Sequence, residues 1–139
     1  MALPGNLVDP GAANPWLSSG TGIDKVMCGN NFATKVGSGD YRLLYEAVDT
    51  GNGTVSCLAT AGSPLGPWAK YGGFNTPIAV LPRGGAGEWD DFQAAVSASC
   101  IAWDPINSQW AFLYHGRKST PVQYSLGMAT APAGSNWQS

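Results

Sequence analysis

"DYRLLYEAV" (residues 40–48) and "QWAFLYHGR" (residues 109–117) decide the fold, because they read as one strand written twice. Each is a short aromatic and aliphatic run of strand character. Each is followed at a similar distance by a small-residue run, "VSCLATA" (55–61) after the first and "YSLGMATA" (124–131) after the second. Tyr41 and Trp110 lie 69 residues apart, as do Tyr45 and Tyr114, and Trp68 and Trp137; Ala59 and Ala129 lie 70 apart. Four landmarks with one period to within a residue indicate an internal repeat, and a repeat of strands constrains the architecture before any strand is placed.

Working outward, the spacing predicts four strands per repeat. The first unit has an inner strand near 26–33, a second over 41–48, a third over 54–61 and a short outer strand near 68–71. "DTGNG" (49–53) is the hairpin turn between the second and third, rich in residues that tolerate positive φ. The second unit has strands near 95–103, 109–116 and 122–131, with "WDPINSQW" (103–110) as the turn and Asp104-Pro105 as its starter. No segment holds a helical period over ten residues or more. Four antiparallel strands in a repeat describe a propeller blade, so the fold class is all-β, with two four-stranded blades of an incomplete propeller. The domain reading is an irregular arm over 1–21, a first blade over 22–73, and a crossing loop with a second blade over 74–139 that stops within its last strand. Five blades of this length require about 345 residues, so two blades imply that missing blades, self-association (a trimer, for example) or a larger assembly completes the structure.

Composition narrows the function. Of 139 residues 44% are hydrophobic and only 12% charged, with 19 glycines and 10 prolines, which argues for many turns around a real core and against disorder. The net charge of −2 offers no basic patch for phosphates, so nucleic acid is not an expected partner. No apolar run approaches membrane-spanning length. "MALPGNLVDPGAANPW" (1–16) has neither a cationic start nor an apolar core, so it does not read as a signal peptide. The surface composition nevertheless points outside the cell or to a virion. Cys28, Cys57 and Cys100 are an odd, widely spaced set, which reads as buried thiols rather than a zinc site or a disulfide framework.

"YRLLYEAV…GTVSCLATAGSPLGPWAKYGG…PIAVLPRGGAGEWDD" followed by "SCIAWDPINSQWAFLYHG…SLGMATAP" resembles consecutive blades of the five-bladed β-propeller glycoside hydrolases, the superfamily of arabinanases, β-xylosidases, invertases and levansucrases. The resemblance covers residues 22 to 139. It implies an oligo- or polysaccharide as partner, no cofactor, and three carboxylates around the axis, the first early on an inner strand. The inner strands here, "KVMCGNNFA" (25–33) and "AAVSASCIAW" (94–103), contain no acid. "VDP" (8–10) resembles the family's catalytic Asp-Pro, but Asp9 lies 32 residues before Tyr41.

Glycoside hydrolysis needs two carboxyl groups, one protonated and one ionised. Asp24 and Asp91, each at the entrance to an inner strand, are the best pair available; the competing reading makes them turn or strand-capping acids. For sugar binding the candidates are Trp89, Asp90, Glu46 and His115. Trp89 in "GAGEWDD" (85–91) can stack on a sugar face beside acids that accept hydroxyl protons, or it can anchor the blade as Trp68 and Trp137 do. Glu46 follows Tyr45 as His115 follows Tyr114, so the two occupy one position of the repeat; the competing reading is a solvated strand end. No metal-ligand set surrounds His115. Two function classes follow. The favoured one is a carbohydrate-recognising propeller module related to glycoside hydrolases and non-catalytic as it stands, for glycan binding or a structural role such as a phage tail fibre or spike. The alternative is a glycoside hydrolase, or a piece of one, cleaving glycosidic bonds by carboxylate acid/base catalysis.

Overall fold

The unbroken burial of Leu43 to Ala47 along "DYRLLYEAV" has a structural cause: both faces of this strand are covered. A computed structural model of the protein describes residues 17–48, 50–51 and 53–138, and the side chains of these except at 97–100. Asp9, most of the 1–21 arm and the Cys100 thiol therefore lie outside the described residues. The strands are β1 (Met27–Gly37), β2 (Asp40–Val48), β3 (Thr54–Ala61), β4 (Ala69–Lys70), β5 (Ala79–Leu81), β6 (Gln93–Asp104), β7 (Gln109–Lys118) and β8 (Gln123–Pro132). No helix forms among the described residues, and the sheet is curled. Its order is β1-β2-β3-β6-β7-β8, with β4 and β5 both on the outer edge of β3.

Two antiparallel units share one register. Leu44 faces Leu58 across β2–β3, and Leu113 faces Met128 across β7–β8; Tyr45 faces Cys57, and Tyr114 faces Gly127. The inner strands repeat with a different offset. Met27 pairs with Val48 and Gln93 with Arg117, which is 66 residues along the inner strands against 69 along the second strands. The difference is absorbed by bulges at matching places. β1 slips between Gly29 and Phe32, and β6 slips between Val96 and Ile101. The units join at their inner ends, where Thr54 pairs in parallel with Gln93 and the Thr54 N–H donates to the Phe92 carbonyl at 3.1 Å.

Each face of the first unit has its own core. Leu43, Tyr45, Ala47, Val55, Cys57 and Ala59 form one cluster, covered by Leu17, Ile23, Trp68 and Ala79 from the same chain. The opposite face sends Leu44 and Leu58 against Val96, Phe112 and Trp137 of the second unit. Burying side chains of this size removes about 1.5–3 kcal/mol each from the cost of folding. Polar stitches fix the interface. The Ser56 hydroxyl donates to the Ala94 carbonyl at 3.3 Å and accepts from the Val96 N–H at 2.7 Å. Arg42 donates to the Ser135 carbonyl at 2.6 Å, and its guanidinium lies 4.7 Å from the Trp137 ring centre.

Several boundaries differ from expectation. The first inner strand runs to Gly37 rather than ending near 33, because the bulge restores its pairing with Arg42 and Tyr41 and the turn closes at Gly39, whose φ is +67°. The second inner strand begins at Gln93, two residues before the expected start. β5 lies in what reads as a crossing loop; proline on both sides of "IAVL" masks a three-residue strand that pairs at Ser56 and Cys57.

Candidate functional site

Glu46 lies on the β2 face that meets the second unit. The residue is 5% exposed, and its carboxylate is held from two sides. The Asn30 side-chain amide donates to Oε2 at 2.8 Å, and His115 Nε2 lies 3.8 Å from Oε1. Asn30 is placed by the β1 bulge, where its φ is +45°, a left-handed conformation that asparagine accepts more readily than most residues. Gln93, the first residue of β6, puts its side-chain amide nitrogen 2.5 Å from His115 Nε2. Glu46 and His115, one position of the repeat, thus meet at the junction of the two units. Sequence reasoning named both and missed their partners. Asn30 is visible only once the bulge is known, and Gln93 only once the inner strand is seen to begin there.

The sequence "GGAGEWDD" (84–91) forms a turn organised by its own acids. The Gly85 N–H donates to Glu88 Oε2 at 2.9 Å. Asp91 accepts from the Gly87 N–H at 2.9 Å and from the Ser119 N–H and hydroxyl at 2.6 and 3.0 Å. These bonds, the Gly87 N–H foremost, hold the Asp91 carboxyl below the usual aspartate range. Asp90 is buried and accepts from the Tyr114 hydroxyl at 3.3 Å. Burial and the Asp90 charge together push the Tyr114 phenol above its ordinary value. Trp89 lies tilted on Tyr114 with ring centres 5.3 Å apart. A side chain at Gly116 or Gly127 would run into its indole, with ring atoms 2.2 and 2.6 Å from the Cβ positions. Trp89 is therefore packed onto β7 and β8, with 36% of its surface left to solvent.

Asp24 is fully buried. It forms an ion pair with Lys70, which also donates to the Ser18 carbonyl, and accepts from the Gly20 N–H at 3.2 Å. Asp24 and Asp91 are held by different partners. Among the described contacts neither touches the other, one is neutralised by a buried lysine, and the other clamps a turn. The partner of Asp24 in the repeat is Asp90: each lies three residues before the first residue of an inner strand. The match extends further. Ile23 packs on the core that contains Tyr45, Ala47 and Cys57, as Trp89 packs on Tyr114, Gly116 and Gly127. A large ring over two glycines replaces a smaller side chain over alanine and cysteine, so volume is conserved between the units. Of the thiols expected to be buried, Cys57 is, whereas Cys28 is only half-buried at the start of β1; desolvation pushes Cys28 up to about 11 and Cys57 to about 12. Among the described residues no three metal-ligating side chains converge.

Among the solved structures that this chain resembles are two glycoside hydrolases. One is a thermostable family-43 glycoside hydrolase, with 20% identity and a TM-score of 0.56, covering 75% of this chain and 32% of that one. The other is a family 117 glycoside hydrolase from the marine bacterium Zobellia galactanivorans, with 22% identity and a TM-score of 0.54, covering 83% of this chain and 31% of that one. Both are five-bladed β-propellers. The fold is that of a β-propeller, about two blades of it. No family model and no curated protein sequence matches the chain. The first blade is thus β1–β4 with β5 alongside, and the second is β6–β8. The two-blade chain spans under a third of either relative's length.

Proposed function

We propose that this propeller module recognises an oligo- or polysaccharide and does not cleave it. The observation that carries the reading is the meeting of Glu46, His115, Asn30 and Gln93 where the two blades join. A carboxylate, an imidazole and two primary amides present donors and acceptors in alternation, the chemistry that sugar hydroxyls match from both sides. The same cluster has one carboxylate, whereas hydrolysis needs two at a defined separation. Trp89, flat on the sheet with its outer face open, adds a stacking surface of the kind that C–H faces of sugars use. Asp90 supports this surface through Tyr114 and is buried, so it acts as a positioning residue. A role on a virion or outside the cell, in a tail fibre or spike for example, agrees with a surface poor in charge and rich in Gly, Ser, Thr and Asn.

The alternative hydrolase reading has one observation in its favour. Asp24 and Asp90 occupy equivalent places, each three residues before an inner strand, close to where the resemblance implies an axial carboxylate. Both are buried here, and Asp24 is paired with Lys70. The test is a glycan array probed with the wild type, His115→Ala and Trp89→Ala. The expected result is binding to a restricted set of glycans that falls about tenfold or more in each variant, as when one hydrogen-bonding or stacking anchor is lost. Binding that survives both substitutions unchanged would refute this site.

A further inference from the structure

We infer that the apolar cavity between the two blades is a binding site for a small apolar molecule carrying one neutral acceptor oxygen, an aryl ketone or ester for example. The inference is independent of the sugar reading. The cavity measures about 370 Å³, within the range of small-molecule sites. Leu44 closes it from the first blade, Val96 and Phe112 from the second, and Val80 and Leu81 from β5. Thr130, Pro132 and Asn136 also line it and are exposed, so this side is the entrance. A space walled by carbon holds water poorly and accepts an apolar guest.

Two polar atoms set the chemistry of that guest. Trp137 Nε1 and Ser135 Oγ are buried, belong to residues that line the cavity, and have no hydrogen-bond partner among the described residues. Trp137 as a whole is 6% exposed. A buried indole N–H ordinarily finds a partner, and leaving it unpaired costs free energy that a ligand oxygen recovers. The indole only donates and the hydroxyl also can, so the complementary group is an acceptor. That acceptor is neutral. Arg42, which lies over the Trp137 ring, gives Nε and Nη2 to Asp40 and Nη1 to the Ser135 carbonyl. A ligand carboxylate would find this guanidinium already committed and would lose its hydration among aliphatic walls. The indole is also fixed in place. Trp137 has φ +63°, a left-handed conformation rare for a bulky residue. Its ring meets Trp110 and Phe112 edge-on, with ring centres 5.4 and 5.0 Å apart. Backbone conformations of this kind persist where the surroundings hold them, and they gather at ligand sites.

The test titrates the isotope-labelled full chain with acetophenone and with α-methylstyrene, which has the same shape with a methylene in place of the oxygen. Heteronuclear NMR reads the indole N–H signals, that of Trp137 being assigned from its contacts with Phe112. Acetophenone is expected to move the Trp137 indole proton downfield in a saturable way. It is expected to bind about tenfold more tightly than the hydrocarbon, the difference that one buried hydrogen bond makes. Ser135→Ala is expected to weaken acetophenone more than α-methylstyrene. Ala131→Leu, which fills the cavity from β8, is expected to abolish binding of both while the other amide signals keep the dispersion of a folded chain. If that variant does not fold, the comparison of the two compounds on the wild type decides alone. No saturable shift at Trp137 up to the solubility limit of acetophenone overturns the inference. So does equal affinity for the two compounds, an equal effect of Ser135→Ala on both, or binding that persists in folded Ala131→Leu.

Discussion

Lys70 and Asp24 form the most consequential single contact of the first blade, because both charges are out of water. The lysine also lies 4.7 Å from the Phe74 ring centre and 5.7 Å from that of Tyr45, so aromatic faces complete its shell. Removing one partner of such a pair leaves the other charge buried and uncompensated. Lys70→Ala is expected to lower stability by about 3–5 kcal/mol, measured by urea denaturation, and the double change to Met at 70 and Leu at 24 to recover most of it. Asp91 differs in kind, since it is only partly buried and its carboxyl is depressed chiefly by backbone donors. A depressed carboxyl contributes stability above its unfolded value and loses it as pH falls through the folded one. Melting curves of the wild type and Asp91→Asn are therefore expected to differ by a constant amount above about pH 4 and to converge below it. A difference that grows as the solution is acidified contradicts this assignment.

Among the elements, β7 and β8 are shaped by what lies on them. Gly116 and Gly127 face the Trp89 indole, and the turn that carries Trp89 is held by Glu88 and Asp91. Gly127→Ala forces ring or strand to move and is expected to cost about 1–3 kcal/mol, as overpacking does. In a double-mutant cycle Trp89→Leu is expected to remove most of that cost, because the smaller side chain frees the space. Purely additive losses would mean that the two residues do not touch. The element scale is also where the sequence was most and least readable. "TVSCLATA" begins and ends as β3 does, because alternation, turn glycines and a neighbouring strand all agree. The inner strands were less readable because bulges break the fixed period: β6 carries its bulge at 97–100, so the offset of 69 along the second strands becomes 66 at the start of the inner ones, where Asp24 corresponds to Asp90. β5 was invisible for another reason. Three residues between prolines have no periodicity to detect, and their strand character comes from the edge of β3.

At the scale of the whole molecule, the repeat explains why two short units hold together. The face made by Leu44 and Leu58 meets Phe112 and Trp137, Ser56 ties the inner strands, and Arg42 reaches Ser135. That much of the architecture was legible from four landmarks at one spacing. The site was legible in part. Glu46 and His115 stood out as repeat equivalents, but their convergence depends on how the blades curl, and no local pattern encodes it. Asp24 attracted attention as an acid near an inner strand, and its ion-pair partner Lys70 lies 46 residues away in the chain, where no local pattern could show it. The proposed function is recognition of a sugar without hydrolysis at the Glu46–His115 junction. The most direct measurement is proton NMR of the full chain mixed with the glycans that bind best. Saturation transfer reads binding, and the anomeric region reads cleavage in the same sample over hours. The account predicts transfer from protein to sugar that is lost in His115→Ala, with no new reducing-end anomeric signals. New anomeric signals that grow with time, or transfer that is unchanged in His115→Ala, would contradict it.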